Sequence, residues 1–403
     1  MVLNSIGDLN GKTVFFLQGP MGSFFARLDK QMRQEGAKTY KIALNAGDWF
    51  YSNKDSMIVY KDTPKKWGRF IHTFFKRYKV DYLFLFGDCR YYQSVAISIA
   101  RELGIKIFVF EEGYIRPDYI TLERCGVNHF SKLPRTRVFY DNLTLQESSI
   151  KRLPTYNSYF KMALSAMVYY AIAKTFYFMF PHYEHHRDFS VFKELFYGVR
   201  SVYRKFYYGL KEKKYTNIFQ TNLSKKYYFV PLQVHSDFQV REHSDFEKLH
   251  DFIERVLYSF ASYAPKNAWL VFKHHPMDRG RVIYDDFIAH LSDDLGIKKR
   301  VLSVHEVHLP TILKNTIATV TINSTVGFSS LFHRIPTLVK GRAIYDIEGL
   351  TCKGVSLDDF WTKHEKPDAI LFQKFRTYLI NNTQINSSFY GDLGALESKI
   401  KFF

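Results

Sequence analysis

The chain has 403 residues, 46% hydrophobic and 24% charged, which excludes a disordered protein and suggests two domains of ordinary size. A formal net charge of +18 asks for an anionic partner, whether nucleic acid, an acidic membrane surface or an anionic substrate. No RRM, KH, zinc-finger or helix-turn-helix signature accompanies that charge, which argues against nucleic acid. Cys89, Cys125 and Cys352 are scattered without metal-ligand spacing, as in a reducing compartment. The opening "MVLNSIGDLNGK" lacks a basic n-region and an apolar h-region, so no secretory leader is expected.

The first predicted strand is "KTVFFLQG" (12–19), ending at Gln18 and Gly19. A Gly-Pro-Met-Gly-Ser turn then opens a helix that closes at Gly36. Such a turn can hold an anion, although it is neither a GxGxxG fingerprint nor a P-loop. Strand-like runs follow at 38–48, 82–88 and 105–113, with a helix at 94–104 between the last two. The rhythm returns in "KKYYFVPLQV" (225–234), a helix over 244–264, "AWLVFKHHP" (268–276), "TIATVTINST" (316–325) and "PTLVKG" (336–341). Short apolar runs alternating with helices predict βαβ units and parallel sheets.

Between these sets, residues 140–222 have few strand signals and many Tyr, Phe, Lys and Arg, as in "VRSVYRKFYYGLKEKKY" (199–215). They read as helical, attached to the first domain and facing something anionic. The apolar run 162–180 barely reaches spanning length and carries Lys174 in its middle, so a buried or an interfacial helix fits better than a membrane span. The expected division is an N-terminal Rossmann-like domain at 1–145, a helical aromatic-basic segment at 146–222, a second Rossmann-like domain at 223–375 and C-terminal helices at 376–403, with a cleft between the Rossmann-like domains.

In open α/β sheets, ligands bind beyond the carboxyl ends of the strands. Gln18, Asn45, Asp48, Asp88, Glu111, Glu112, Gln233, His275 and Ser324 are all expected there. In "FVFEEGYIRPDYITLE" (108–123), Glu111 and Glu112 close a buried strand and Gly113 permits the turn. One carboxylate can activate a hydroxyl or attack a carbon while its neighbour orients; two solvated loop acids would look the same. In "VFKHHPMDRG" (271–280), Lys273 and His275 suit a leaving phosphate and Pro276 fixes the turn. In "TVTINSTVGFSSLFHRIP" (319–336), Ser324 and Thr325 open a helix, as a simple cap or as an anion site. No metal site is expected.

Together, "FVFEEGYIRPDYITLE", "KHHP" and "INSTVGFSSLFHRIPTLVKGRAIYDIEGLT" resemble the bacterial capsule polysaccharide biosynthesis proteins of the KpsS/LipB type, in the KpsC/KpsS β-Kdo glycosyltransferase family. The resemblance implies a GT-B glycosyltransferase that uses CMP-Kdo as donor, without a cofactor or metal. It implies a β-linked Kdo on a phosphatidylglycerol-type lipid acceptor at the cytoplasmic face of the inner membrane, with other capsule biosynthesis proteins as partners. An acidic D/E-x-G motif and an HP motif are shared with bacterial sialyltransferases. By that match Glu111, with Glu112, and His275 are catalytic. Gln233, Lys273, Pro276, Ser324, Thr325 and Gly327 would hold the CMP-sugar. Gly22, Ser23, Asn45, Asp48, Asp88, Arg90 and Arg116 would face the sugar carboxylate or the acceptor. The helix after Gly327 reads Phe328-Ser329-Ser330, which lacks the acidic ribose ligand common in GT-B enzymes. The alternatives are another CMP-sugar transferase with a glycan acceptor, or a non-catalytic capsule export or assembly protein.

Overall fold

The computed structural model describes residues 6–144, 154–155, 159–184, 191–235, 240, 244–391, 393–394 and 396. The chain divides into two compact units. Unit 1 comprises Met1–Leu133, Gln146–Asp188 and Thr377–Phe403, and unit 2 comprises Pro134–Leu145 and Phe189–Arg376.

Unit 1 is built on a seven-stranded sheet. Its strands are β1 (Thr13–Phe16), β2 (Lys38–Ala43), β3 (Met57–Val59), β4 (Tyr82–Phe86), β5 (Lys106–Glu112), β6 (Ile120–Arg124) and β12 (Gln384–Ile385), in the order β12-β6-β5-β4-β1-β2-β3. The run from β5 to β3 is parallel, and β6 and β12 add an antiparallel edge. Strands covered on both faces must be apolar along their whole length, which explains TVFF and YLFLF. Phe84 and Phe108 stack across β4 and β5 with ring centroids 5.1 Å apart.

Unit 2 carries a fully parallel five-stranded sheet, β11-β10-β7-β8-β9. Its strands are β7 (Tyr227–Pro231), β8 (Trp269–Lys273), β9 (Val301–Val304), β10 (Ala318–Thr321) and β11 (Thr337–Val339). Each unit is therefore a Rossmann-like α/β layer, as the sequence rhythm predicts.

The segment expected at 146–222 is not one piece. Its part up to 188 belongs to unit 1 and its part from 189 to unit 2, with 145–153, 156–158 and 185–190 outside the described residues. Side chains explain the division. Tyr169, on the helix Tyr159–Thr175, hydrogen-bonds Asp48 of unit 1. On the helix Val191–Lys211, Arg200 and Arg204 donate to the carbonyls of Gly280, Arg281 and Arg279 in unit 2. The C-terminal stretch, expected as helices, supplies β12, which pairs with β6. The helix Trp67–Tyr78 carried no sequence expectation, and the strand expected over 38–48 stops at Ala43 because Asn45 opens the helix Ala46–Phe50, accepting from the Asp48 N–H.

Candidate functional site

The stretch 108–123 folds as a hairpin of β5 and β6, with Glu111 opposite Thr121 and Glu112 opposite Ile120. The turn has room only for glycine. A Cβ on Gly113 would lie 2.1 Å from the Tyr119 carbonyl oxygen. This close approach ends β5 at the two glutamates.

Glu111 is mostly enclosed, and its Oε1 accepts the Glu112 backbone N–H at 2.9 Å. Burial, seconded by the negative charges of Glu112 and Asp88, outweighs that hydrogen bond and a nearby Arg90, pushing its carboxyl up to about 7. Asp88, at the end of β4, accepts the Val127 N–H at 2.9 Å, and burial raises its carboxyl too. The structure therefore brings Glu111, Glu112, Asp88 and Arg90 together. Arg116 donates to the Gly113 carbonyl at 3.4 Å, within the turn of the same hairpin.

Asn45 and Asp48 are placed differently. Asp48 accepts from Gln18 Nε2 (3.0 Å) and from the Tyr169 hydroxyl (2.9 Å), and Asn45 Nδ2 donates to the same hydroxyl (2.7 Å). Both are buried, and this network holds the helix Tyr159–Thr175 on the end of β2. Beside it lies a cavity of about 730 Å³ lined by Gln18, Lys65, Arg90, His182 and Tyr183 among others. Its lining includes Lys65 and Arg90 as well as the acid Glu184. Ser23 occupies the N-cap of the helix Phe24–Gln34 with no capping bond from its hydroxyl, next to Gly22 at φ 142°.

Unit 2 gathers the opposite charge. Lys273 ends β8, and its ammonium donates to the His305 carbonyl at 2.5 Å. Burial lowers it to about 8 against the pull of Glu306 and Glu212. His275 Nδ1 accepts the Met277 N–H at 3.2 Å. That bond puts the neutral ring's proton on Nε2, the tautomer that donates to an anion. Pro276 opens the short turn that makes it possible. At the end of β10, Ser324 caps the helix Thr325–Phe332 by accepting the Val326 N–H at 3.2 Å. Tyr345 donates to the Ser324 carbonyl at 2.5 Å, and a Cβ on Gly327 would stand 2.2 Å from that hydroxyl oxygen. Gln233 and Asn323 exchange hydrogen bonds of 2.9 and 3.2 Å between the ends of β7 and β10.

Sequence reasoning missed Asn323, Tyr345, Tyr169 and Tyr183. Asn323 and Tyr345 sit inside the quoted stretches, but a tyrosine's partner is set by folding and not by spacing. It also missed His274, Asp285 and His305, whose ligand atoms lie within 4.8 Å of one another and could hold a metal ion. The imidazoles stack 4.1 Å apart and both Nε2 atoms face Asp285, at 3.1 and 2.9 Å. These bonds, with one from Ser303, hold the Asp285 carboxyl well below its usual range despite burial.

Two sheets with parallel cores, one with carboxylates and the other with cations and hydroxyls at its strand ends, define a Rossmann-type α/β protein. The chain belongs to the family described as "Capsule polysaccharide biosynthesis protein", which matches residues 81–390. It is 39% identical to the capsule polysaccharide export protein KpsS of Escherichia coli, over 95% of this chain and 98% of that one. It is 37% identical to the capsule polysaccharide modification protein LipB of Neisseria meningitidis, over 95% of this chain and 93% of that one. Among solved structures it is similar to KpsC of Thermosulfurimonas dismutans, a beta Kdo 2,7 transferase, with 13% identity, a TM-score of 0.43 and coverage of 91% and 89%.

Proposed function

We propose that the protein is a glycosyltransferase that moves Kdo from CMP-Kdo to a phosphatidylglycerol-type lipid and so starts the β-Kdo linker of a capsular polysaccharide. The observation that carries this reading is Glu111, a carboxyl poised at about 7 at the end of a buried strand beside Asp88 and Arg90. A group with that affinity for protons can be ionised to attack or accept a proton at neutral pH. Donor and product are both β-configured in this reading, which is net retention. Retention by double displacement uses a carboxylate nucleophile, with Glu111 attacking the anomeric carbon as the bond to the CMP phosphate breaks. His275 and Lys273 then donate to the phosphate oxygens that gain charge. In the second step the acceptor oxygen bonds to the anomeric carbon as the bond to Glu111 breaks, the hydroxyl proton passes to Asp88 beside it, and the Glu111 carboxylate is restored.

The helix Val191–Lys211 supports a lipid acceptor. Phe196, Val199, Tyr203, Phe206 and Leu210 are exposed along one stripe, and Lys205, Lys211, Lys213 and Lys214 are exposed beside it. Phe160, Met167, Tyr177 and Phe178 are likewise exposed in unit 1. Among the described residues no helix is long and apolar enough to cross a membrane. We assign these surfaces to peripheral attachment at the cytoplasmic face of the inner membrane, alongside other capsule biosynthesis proteins.

Mass spectrometry of a short-chain phosphatidylglycerol incubated with the protein and CMP-Kdo tests the proposal: the lipid should gain Kdo. The name of the E. coli relative as an export protein favours a second reading, an assembly protein without turnover. An unmodified lipid with no release of CMP would favour that reading and end the first.

A further inference from the structure

Unit 2 has a cavity of about 680 Å³ at the edge of its sheet opposite His275 and Ser324. Lys225, Thr316 with Ile317, and Ile335 with Pro336 stand just before the first residues of β7, β10 and β11. The strands are parallel, so this is the amino-terminal edge, whereas His275 and Ser324 follow the carboxyl ends. A strand of five residues separates the two edges by roughly 17 Å.

The lining is one-sided in charge. Lys225, Arg334 and Lys366 form a cationic rim, His333 and His364 stand beside it, and none of the lining residues is acidic. Among the described residues no ion pair engages Lys225, Arg334 or Lys366. Lys225 is held below its ordinary value by burial and by the like charge of Lys366. Its ammonium donates to the Thr316 carbonyl at 3.0 Å, which fixes it in place without neutralising it. His364 Nδ1 lies 2.9 Å from the Phe360 carbonyl and so carries a proton, leaving Nε2 as its other polar atom. Ile317, Ile335 and Pro336 supply an apolar wall.

The backbone adds an independent observation. Arg334 has φ 55° and Lys225 φ 56°, the left-handed region that glycine or asparagine occupies at least cost. Arg334 follows the last helix of the strand-end site. The Arg334 and Ile335 N–H groups close back on the Leu331 and Ser330 carbonyls at 2.9 Å each, a Schellman ending whose left-handed position glycine normally fills. Two long cations therefore occupy glycine-type positions at the mouth of one cavity. A local rule broken twice at one place, by side chains of one charge, marks a functional surface.

We propose that this amino-terminal edge is a second anion site that takes a phosphate ester whose carrier has an apolar or planar face. The rim would bind the phosphate and the isoleucine–proline wall would hold the carrier. A nucleotide and a lipid headgroup share that chemistry. The site is separate from the strand-end chemistry and does not depend on the reaction proposed above.

The test uses the full chain. AMP and inorganic phosphate are titrated calorimetrically, and vesicles of phosphatidylcholine with phosphatidylglycerol are assayed by flotation. Arg334→Gly removes the guanidinium while keeping a residue at ease at φ 55°, and Lys366→Ala alters an exposed side chain, so both variants should fold. At least one probe should lose tenfold or more in affinity in both variants while His275→Ala leaves it unchanged. AMP responding alone or with phosphate identifies a soluble ester, and vesicles responding alone identify a headgroup. Pyridoxal 5′-phosphate with borohydride should label Lys225 or Lys366, and AMP or phosphatidylglycerol should protect them. The proposal is overturned if no probe binds, if binding is indifferent to both variants, or if it disappears in His275→Ala.

Discussion

Glu111 and Lys273 occupy equivalent places in two different sheets. Each ends or nearly ends a buried parallel strand, and each is perturbed chiefly by burial. The sign of the charge decides the outcome. Burial raises the carboxyl to about 7 and lowers the ammonium to about 8, so the two groups approach neutrality from opposite sides. Asp285 shows the contrast. It is also substantially buried, but His274, His305 and Ser303 supply its hydrogen bonds and its carboxyl stays well below the usual range. Hydrogen bonds from three side chains hold the Asp285 carboxyl low, whereas the one backbone N–H that Glu111 accepts does not offset its burial.

The sharpest way to break the comparison is to remove its first member. Glu111→Gln should lower transfer by at least about 10³-fold, because it deletes the group assigned to attack or proton transfer. Glu112→Gln should retain measurable activity, since its neighbour already carries the perturbed carboxyl. Intact-protein mass spectrometry with CMP-Kdo and no acceptor should locate a Kdo adduct on Glu111. An active Glu111→Gln enzyme would end the assignment. On the cation side, His275→Ala should cost about 10²–10³ in turnover, the range for one lost donor to a developing charge. Unchanged turnover there would remove His275 from the phosphate site.

The comparison also predicts a pH profile. Transfer requires Glu111 ionised, above about 7, and Lys273 charged, below about 8. The profile of kcat/KM should be a narrow bell with limbs near those values, and Lys273→Arg should abolish the alkaline limb. Stability follows the same carboxyl with a definite sign. The folded value lies above the ordinary 4.5, so the native state binds the extra proton. The associated stability is present below about 4.5 and is lost as pH rises through about 7, by roughly 3 kcal/mol at pH 8. Glu111→Gln, which never ionises, should therefore melt higher than the wild type at pH 8 and nearly equally at pH 4. Equal melting at both values would show that the carboxyl is not perturbed.

Much of this was legible in sequence because parallel strands and strand-end motifs leave local marks. VFFL, LFLF and FVF are continuous apolar runs that only a twice-covered strand needs, and EEG and KHHP follow such runs directly. Asn45 was placed at a strand end but not recognised as a helix cap, because the helix it opens is only five residues long. The Asp48–Tyr169 and His274–Asp285–His305 networks join residues far apart in sequence, so no window of a dozen residues contains them. The division of 146–222 depended on the Asp48–Tyr169 bond and on those of Arg200 and Arg204 to the carbonyls of 279–281. Gly113 was read as a tight turn, but the reason it must be glycine is the Tyr119 carbonyl, which lies just before the next strand.

The smallest expected effects lie on the helix Val191–Lys211, where two faces compete for the same kind of side chain. Tyr197, Arg200, Arg204 and Tyr208 recur every three or four residues. Arg200 and Arg204 bind backbone carbonyls, and Tyr208 stacks on His305 with centroids 3.7 Å apart. Phe196, Val199, Tyr203, Phe206 and Leu210 recur at the same spacing one step around the helix and remain exposed. The first face holds the helix in unit 2, so changes to the second should leave folding intact. Phe206→Ser should weaken attachment to anionic vesicles by about 2 kcal/mol, the order for one large apolar side chain returned to water. Lys205→Ala should weaken it by about 1 kcal/mol, and high salt should erase that smaller difference while sparing the larger one. Co-sedimentation with phosphatidylglycerol vesicles at two ionic strengths reads both. If neither substitution changes binding, the exposed stripe is not the membrane contact. If Arg204→Ala, on the docked face, weakens binding while Phe206→Ser does not, the two faces have been assigned the wrong way round.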